Sequence, residues 1–346
     1  MDIREILKNA VAKKASDIII ICHQPVSFRI NGAIIPQYDE KLTPEDTQLL
    51  LKQIFDNAGK PERDAFVQTG DSDFSLSLSG VGRFRVNAYR QRNSFAAVIR
   101  SVMFDLPLPS DIGIPPEVMR VAEINNGFVL VTGAAGSGKS TTLACLVDKI
   151  NSERNCHIIT LEDPVEYIHR HKCSIVSQRE IHLDTFSYET ALRAALRQSP
   201  DVILLGEMRD FETIRIAMTA AETGHLLLSS LHTNSVSKSI DRIIDVFSAE
   251  QQQQIRMQLS MVLQAVVSQQ LLPSVDGGLV PAFEIMLVNP AIRNMIRSGK
   301  VKQIDSEIHA AQRDGMVTMD ASIQKLLLEG KITEETAQIY LTNFRA

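Results

Sequence analysis

The stretch Gly133 to Thr141 limits what this chain can fold into more than any other. It reads Gly-Ala-Ala-Gly-Ser-Gly-Lys-Ser-Thr and matches the pattern G-x-x-x-x-G-K-[ST]. The apolar run Phe128–Thr132 leads directly into it, and an apolar-periodic segment, Lys139–Asn151, follows. The order strand, glycine loop, helix is therefore predicted. Glycines at 133, 136 and 138 free the backbone to turn N–H groups inward around phosphate oxygens. The helix start behind them adds the positive end of its dipole. Gly133, Ala134, Ala135, Gly136, Ser137, Gly138, Lys139, Ser140 and Thr141 are thus the expected ATP-binding set. Lys139 is expected to reach the β- and γ-phosphates and the Ser140 hydroxyl to coordinate Mg²⁺.

A phosphate loop of this kind needs an acid on a neighbouring strand end to manage metal and water. Asp201-Val-Ile-Leu-Leu-Gly-Glu207 supplies one, with Glu207 at the carboxyl edge of an apolar strand, where α/β sheets place their ligands. Glu207 is read as a Mg²⁺-shell group, through water or directly, or as a group that orients water. Between the two motifs lies Thr160-Leu-Glu-Asp-Pro-Val-Glu166, an acidic box of Glu162, Asp163 and Glu166 just past another predicted strand. Crowded carboxylates repel unless a cation intervenes, which suits a place beside Mg²⁺–ATP. Hydrolysis requires a group within hydrogen-bond reach of the attacking water, and both Glu166 and Glu207 are candidates. His225 and His232 bracket one more predicted strand. His232 falls at its carboxyl end, where a γ-phosphate sensor belongs, and His225 is carried as a second candidate.

At 346 residues the chain exceeds one ordinary core, so two domains are expected. Residues 1–107 read as a mixed domain. Helices are predicted at Asp2–Lys14 and Thr43–Asp56, and strands at Ser16–Cys22, Val26–Ile30, Phe74–Leu78, Gly82–Arg90 and Ala96–Val102, with a tight turn at Asn31-Gly32. A proline-rich segment follows and makes 108–118 a linker. From Gly127 onward, strand–helix alternation implies an α/β unit with a mostly parallel sheet over 119–346. Its last part, from about 249, reads as largely helical.

The net charge of −5 and the lack of a basic-aromatic stripe argue against nucleic acid as partner. No window approaches the ~18 uncharged apolar residues of a membrane span, so no direct membrane insertion and a cytoplasmic location are expected. Four scattered cysteines exclude a sequence-evident zinc site and fit reduced thiols. In the first domain, Arg83, Arg85, Arg90 and Arg92 lie in or just past one predicted strand. They read either as a charged outer face or as guanidinium forks that reach a triphosphate.

Taken together, the glycine loop, Leu161–Tyr167, Ala194–Asp210, Thr223-Gly-His225 and Leu231-His-Thr233 resemble the secretion ATPases of the type II/type IV pilus superfamily, and within it the twitching-motility retraction ATPases. Arg83–Arg92, Gln178-Arg-Glu180 and Asn289–Lys300 support the narrower likeness. The resemblance implies a RecA-like motor domain behind a smaller α+β, PAS-like domain. It implies a homohexamer peripheral to the inner face of the cytoplasmic membrane, working with an inner-membrane platform protein and the pilus machinery. It further implies Glu166 as general base, Glu207 in the metal shell, a paired-histidine box at His225 and His232, and arginine charge sensors. Ala291, Ile292 and Arg293 match an element that retraction motors need beyond hydrolysis. A pilus-extension or secretion ATPase, and a slow nucleotide-dependent switch, are the competing readings. Two departures stand out: Ala134-Ala135 replaces a commoner Pro-Thr, and a frequent glycine is missing near Ile181-His182.

Overall fold

The computed structural model describes residues 1–30, 32–58, 60–78, 80–102, 106–208 and 210–345, with backbone alone at 60–62, 65 and 342–345. Asn31 of the expected turn and Arg209 of the long motif lie outside the described residues. The chain divides into two compact units. One is Met1–Asp105 with Glu166–Ile168, and the other is Leu106–Val165 with His169–Ala346.

The first unit begins with α1 (Ile3–Ala12), capped by the Asp2 carboxylate, which accepts from the Arg4 N–H. Ile3, Ile6, Leu7 and Ala10 recur at helical spacing and are buried. Strands β1 (Asp17–Ile20), β2 (Ser27–Ile30) and β3 (Ala33–Pro36) follow, then α2 (Pro44–Ala58), α3 (Lys60–Thr69), β4 (Asp71–Leu78), β5 (Gly82–Gln91) and β6 (Ser94–Val102). Thr43 and Asp46 cap each other's backbone at the start of α2, with Pro44 as its first residue. The six strands run in the order β3-β2-β1-β6-β5-β4, and every neighbouring pair is antiparallel. Strand β3 escaped the sequence reading because it is a short, exposed edge strand that ends in proline. On β5, Phe84 and Val86 are fully buried while Arg85 and Asn87 face out.

The second unit opens with α4 (Pro116–Met119) and then alternates. Its elements are β7 (Gly127–Thr132), α5 (Lys139–Glu153), β8 (His157–Glu162), β9 (Ile175–Glu180), α6 (Tyr188–Ala195), β10 (Val202–Leu205), α7 (Phe211–Glu222), β11 (Leu226–Leu231) and α8 (Val236–Asp245). Next come α9 (Ala249–Val262), β12 (Leu263–Pro273), β13 (Leu279–Leu287), α10 (Pro290–Arg297), α11 (Ile304–Ala310), α12 (Met319–Leu328) and α13 (Glu334–Arg345). Seven strands form one sheet in the order β13-β12-β7-β11-β10-β8-β9, parallel except for β13. Phe128 and Leu130 of β7 pack into the core on one face, and Val129 and Val131 into the core on the other.

The largely helical reading of the region from 249 is corrected here. Leu263–Leu287 forms a long antiparallel hairpin that adds two strands to the sheet beside β7. Polar residues at 264, 268, 269 and 270 break the period-2 signal, and pairing with a strand over a hundred residues earlier decides the outcome. Among the described residues no helix is long and apolar enough to cross a membrane.

Candidate active site

Strand β7 lies inside the sheet, between β12 and β11, and ends at Thr132, so the loop after it emerges at the carboxyl edge of a rigid platform. At Gly133 φ is 152°, and a Cβ would stand 2.4 Å from both the Gln269 carbonyl oxygen and Ser137 Oγ. Only glycine fits. The chain reverses over the loop, and Gly138, at φ 87°, is the N-cap of α5. Lys139, buried to 7% exposure, curls back so that Nζ donates to the carbonyls of Gly133 (3.0 Å) and Ala134 (2.8 Å). Ser137 Oγ is buried with no hydrogen-bond partner, a polar group left for a ligand to satisfy. Ser140, on the first turn of α5, is exposed.

Three more strands deliver polar groups to the same edge, because β8, β10 and β11 run parallel to β7 and in register with one another. β11 delivers His232, whose Nδ1 lies 3.5 Å from Lys139 Nζ and whose Nε2 lies 3.6 Å from Glu207 Oε2. A lysine ammonium only donates, so in the neutral ring Nδ1 is the bare nitrogen and the proton sits on Nε2, facing Glu207. Glu207 is only 13% exposed. The glycine before it has a physical reason: a Cβ at Gly206 would meet the Tyr188 hydroxyl at 3.0 Å. Ser229 and Ser230 of β11 donate to the Leu205 and Gly206 carbonyls (2.7 and 2.6 Å), which fixes the turn that carries Glu207. Glu162, at the end of β8, accepts from Thr160 Oγ1 at 2.6 Å and Gln178 Nε2 at 3.3 Å, and Asp163 beyond it is exposed.

A cavity of about 290 Å³ opens beside the loop, between Ala134–Ser137 on one side and Lys238, Gln270, Leu271 and Tyr340 on the other. Strand β12 thus builds much of its wall, which the sequence reading missed. Gln269 is 3% exposed, and its Oε1 accepts from Thr142 Oγ1 of α5 at 2.7 Å. The available signal was a polar triplet, Ser268-Gln269-Gln270, set between the apolar pairs Val266-Val267 and Leu271-Leu272. On β13 the signal is a lone acid in an apolar run: Glu284, a 3% exposed carboxyl that accepts from the Val236 N–H.

The remaining expectations fall elsewhere. His225 is not beside the phosphate loop of its own chain. It precedes β11, at the opposite end of a strand about 20 Å long, where its ring Nδ1 lies 3.0 Å from the Ala220 carbonyl and 3.1 Å from Thr223 Oγ1. The phosphate-sensing role expected of His225 is therefore not supported within one chain. Glu166 is grouped with the first unit, whereas Glu162 and Asp163 are grouped with the second. In that unit Arg85 makes a two-pronged contact with Asp73, at 3.2 and 2.8 Å. The Arg90 guanidinium stacks over Phe66 and Phe95 at 5.4 and 5.5 Å, and Arg92 sits at φ 46° in the turn after β5. Arg83 is partly buried on β5. Ile292 is fully buried core of α10, and Arg293 donates to the Ser260 and Met261 carbonyls (2.7 and 2.8 Å), closing the end of α9. Ala291 precedes them on the same helix.

No group of three or more His, Cys, Asp or Glu among the described residues is arranged to hold a metal alone. Magnesium needs no such cage when phosphate oxygens and water complete its shell. The exposed Ser140 hydroxyl and the Glu207 carboxylate therefore fit Mg²⁺ carried in by a nucleotide.

Residues 1–279 match the family described as Type II/IV secretion system protein. The type IV pilus retraction ATPase PilT of Pseudomonas aeruginosa is 43% identical over 338 residues, 98% of this chain and 97% of that protein. A twitching motility protein of Neisseria gonorrhoeae is 47% identical over 278 residues, 80% of this chain and 74% of its own length. The crystal structure of the pilus retraction motor PilT with bound ADP superposes with a TM-score of 0.90 at 46% identity, covering 97% of this chain and 96% of that one. The fold is accordingly α/β, a RecA-like ATPase domain preceded by a smaller α+β domain, and the chain is a P-loop ATPase of the type II/IV secretion system protein family.

Proposed function

We propose that this chain is a mechanochemical ATPase that retracts type IV pili. The observation carrying this reading is a phosphate cradle with Lys139, His232 and Glu207 in line, in a chain that corresponds end to end to a retraction ATPase. The loop amides from Gly133 to Thr141 bind the phosphates, and Lys139 exchanges its carbonyl partners for β- and γ-oxygens. Ser140 and Glu207 would hold Mg²⁺, which would supply positive charge beside the phosphate oxygens. His232 keeps Nε2–H toward Glu207 and senses the γ-phosphate through the neighbouring Lys139. Glu166 is the general base that takes the proton of the attacking water, and Glu162 and Asp163 add negative charge around the metal side of the site.

Six copies form a cytoplasmic ring at an inner-membrane platform protein. Residues 1–107 act as a PAS-like domain, joined through 108–118 to the motor. Arg83, Arg85, Arg90 and Arg92 report nucleotide state from that domain, with Arg85 trading Asp73 for phosphate. His225 and the Ala291–Arg293 segment serve the assembled ring.

Purified protein with Mg²⁺ and ATP tests the reading. Steady turnover that Glu166→Gln nearly abolishes, with ADP binding intact, is expected. The same result from Glu207→Gln alone transfers the base to Glu207. A protein that neither binds nor splits ATP removes the motor altogether, and a deletion strain that keeps surface motility removes retraction.

A further inference from the structure

Glu284 of β13 is buried, and among the described residues it forms no ion pair. Its Oε2 accepts from the N–H of Val236, the first residue of α8, at 2.9 Å. Burying an acid is costly without compensation, and nearby Asp305 and Asp320 make ionisation harder still. The positive end of α8 and this one hydrogen bond are what favour the carboxylate. Ser235, the local cap, already serves a different group, the Lys238 N–H at 3.3 Å. Glu284 therefore does something a local cap does not: from 48 residues away it ties the start of α8 to the sheet.

The start of α8 is also the end of the His232–Ser235 loop. Thr233 Oγ1 lies 2.6 Å from Ser239 Oγ, which donates to the Ser235 carbonyl, so the loop closes onto the first turn of α8 as one piece. His232 itself is half exposed and touches the site only at 3.5 and 3.6 Å. Its position thus depends on where α8 begins. Glu284 pairs in register with Ser268 of β12, and Ser268 with Thr132 of β7, the residue before Gly133. One row across three strands launches the phosphate loop at one end and anchors α8 at the other.

We infer that Glu284 is a positioning residue for ATP hydrolysis: by holding the Val236 N–H it sets the loop that presents His232 to Lys139 and Glu207. The inference rests on His232 serving the ATP site. The experiment compares Glu284→Ala, Glu284→Gln, Val236→Pro and His232→Ala in the full-length protein, measuring kcat, KM for ATP and ADP affinity. Val236→Pro deletes the donor, since proline is tolerated at the first helical position and Ser235 is already extended (φ −154°, ψ 162°). Because Val236 is fully buried the change also alters packing, and Val236→Ala, which keeps the N–H, is the control that should retain turnover. Glu284→Ala and Val236→Pro are expected to lower kcat roughly ten- to hundredfold, with KM and ADP affinity little changed. Glu284→Gln, which keeps an acceptor, should restore most of the turnover. The Glu284→Ala/Val236→Pro double variant should lose no more than either single one. Wild-type kcat in folded Val236→Pro overturns the inference even if Glu284→Ala does not fold, and so does equal loss of turnover and ADP affinity. His232→Ala with wild-type turnover sinks the underlying reading of His232; a slow His232→Ala beside a fast Glu284→Ala sinks this inference alone.

Discussion

The two sheets of the molecule solve opposite problems. In the first unit the strands are antiparallel and β5 alternates, with Phe84 and Val86 inward and Arg85 outward. In the second, β7, β10 and β11 are buried residue by residue, because helices cover both faces. An open face can display charge along a whole strand. A sheet covered on both faces releases polar groups only where its strands end, and there Lys139, His232 and Glu207 meet.

Breaking the first sheet should cost most. Phe84→Ala removes a fully buried ring and should take about 3–5 kcal/mol from the first unit's unfolding transition in urea. ADP affinity should change less than tenfold, since the glycine cradle belongs to the second unit. Lys139→Ala reverses the pattern: ATP turnover should fall roughly 10²- to 10³-fold by a phosphate-release assay, with the first unit's transition unmoved.

A third measurement sharpens the contrast through pH. Burial, followed by Asp305 and Asp320, pushes the Glu284 carboxyl from its ordinary 4.5 up to about 7, against the opposing Val236 hydrogen bond. The folded state then binds this proton more tightly than the unfolded chain does. Its contribution is complete below about pH 4.5 and is lost as pH rises through 7. Glu284→Gln stays neutral throughout, so its stability relative to wild type should climb between pH 5 and 8, by at most about 3 kcal/mol. Urea midpoints at the two pH values check this. The smallest effect belongs to the open face. Arg85 and Asp73 are both nearly half exposed, so Arg85→Ala should cost under about 1 kcal/mol of stability. A large loss of turnover in that variant would mark Arg85 as a sensor rather than a surface ion pair.

The parts legible in the sequence are those that local chemistry decides. The glycine loop, the strand before it and helix α7 at Phe211–Glu222 carry their own caps, breaks and periods. Thr43 and Pro44 likewise announce α2. What stayed hidden depends on distant partners. Ile175–Glu180 is too polar to read as a strand and is one, half exposed at the sheet's edge, because β8 pairs with it. The hairpin of β12 and β13 reads as helix until β7 is beside it. Of the two histidines, the sequence already favours His232 at the carboxyl end of its strand, and the parallel run of β11 brings it to the cradle while His225 stays at the far end. Helix α8 was overlooked although Ser235 and the buried Ile240, Ile243 and Ile244 mark it.

The contact between Gly133 and the Gln269 carbonyl has a consequence during protein synthesis. The motif that grips phosphate leaves the ribosome early, but its wall is encoded more than a hundred residues later, as the Thr142–Gln269 bond also shows. A nascent chain stopped before β12 carries the complete signature without the pocket. The part of the nucleotide's grip that relies on this wall becomes available only after the hairpin has docked.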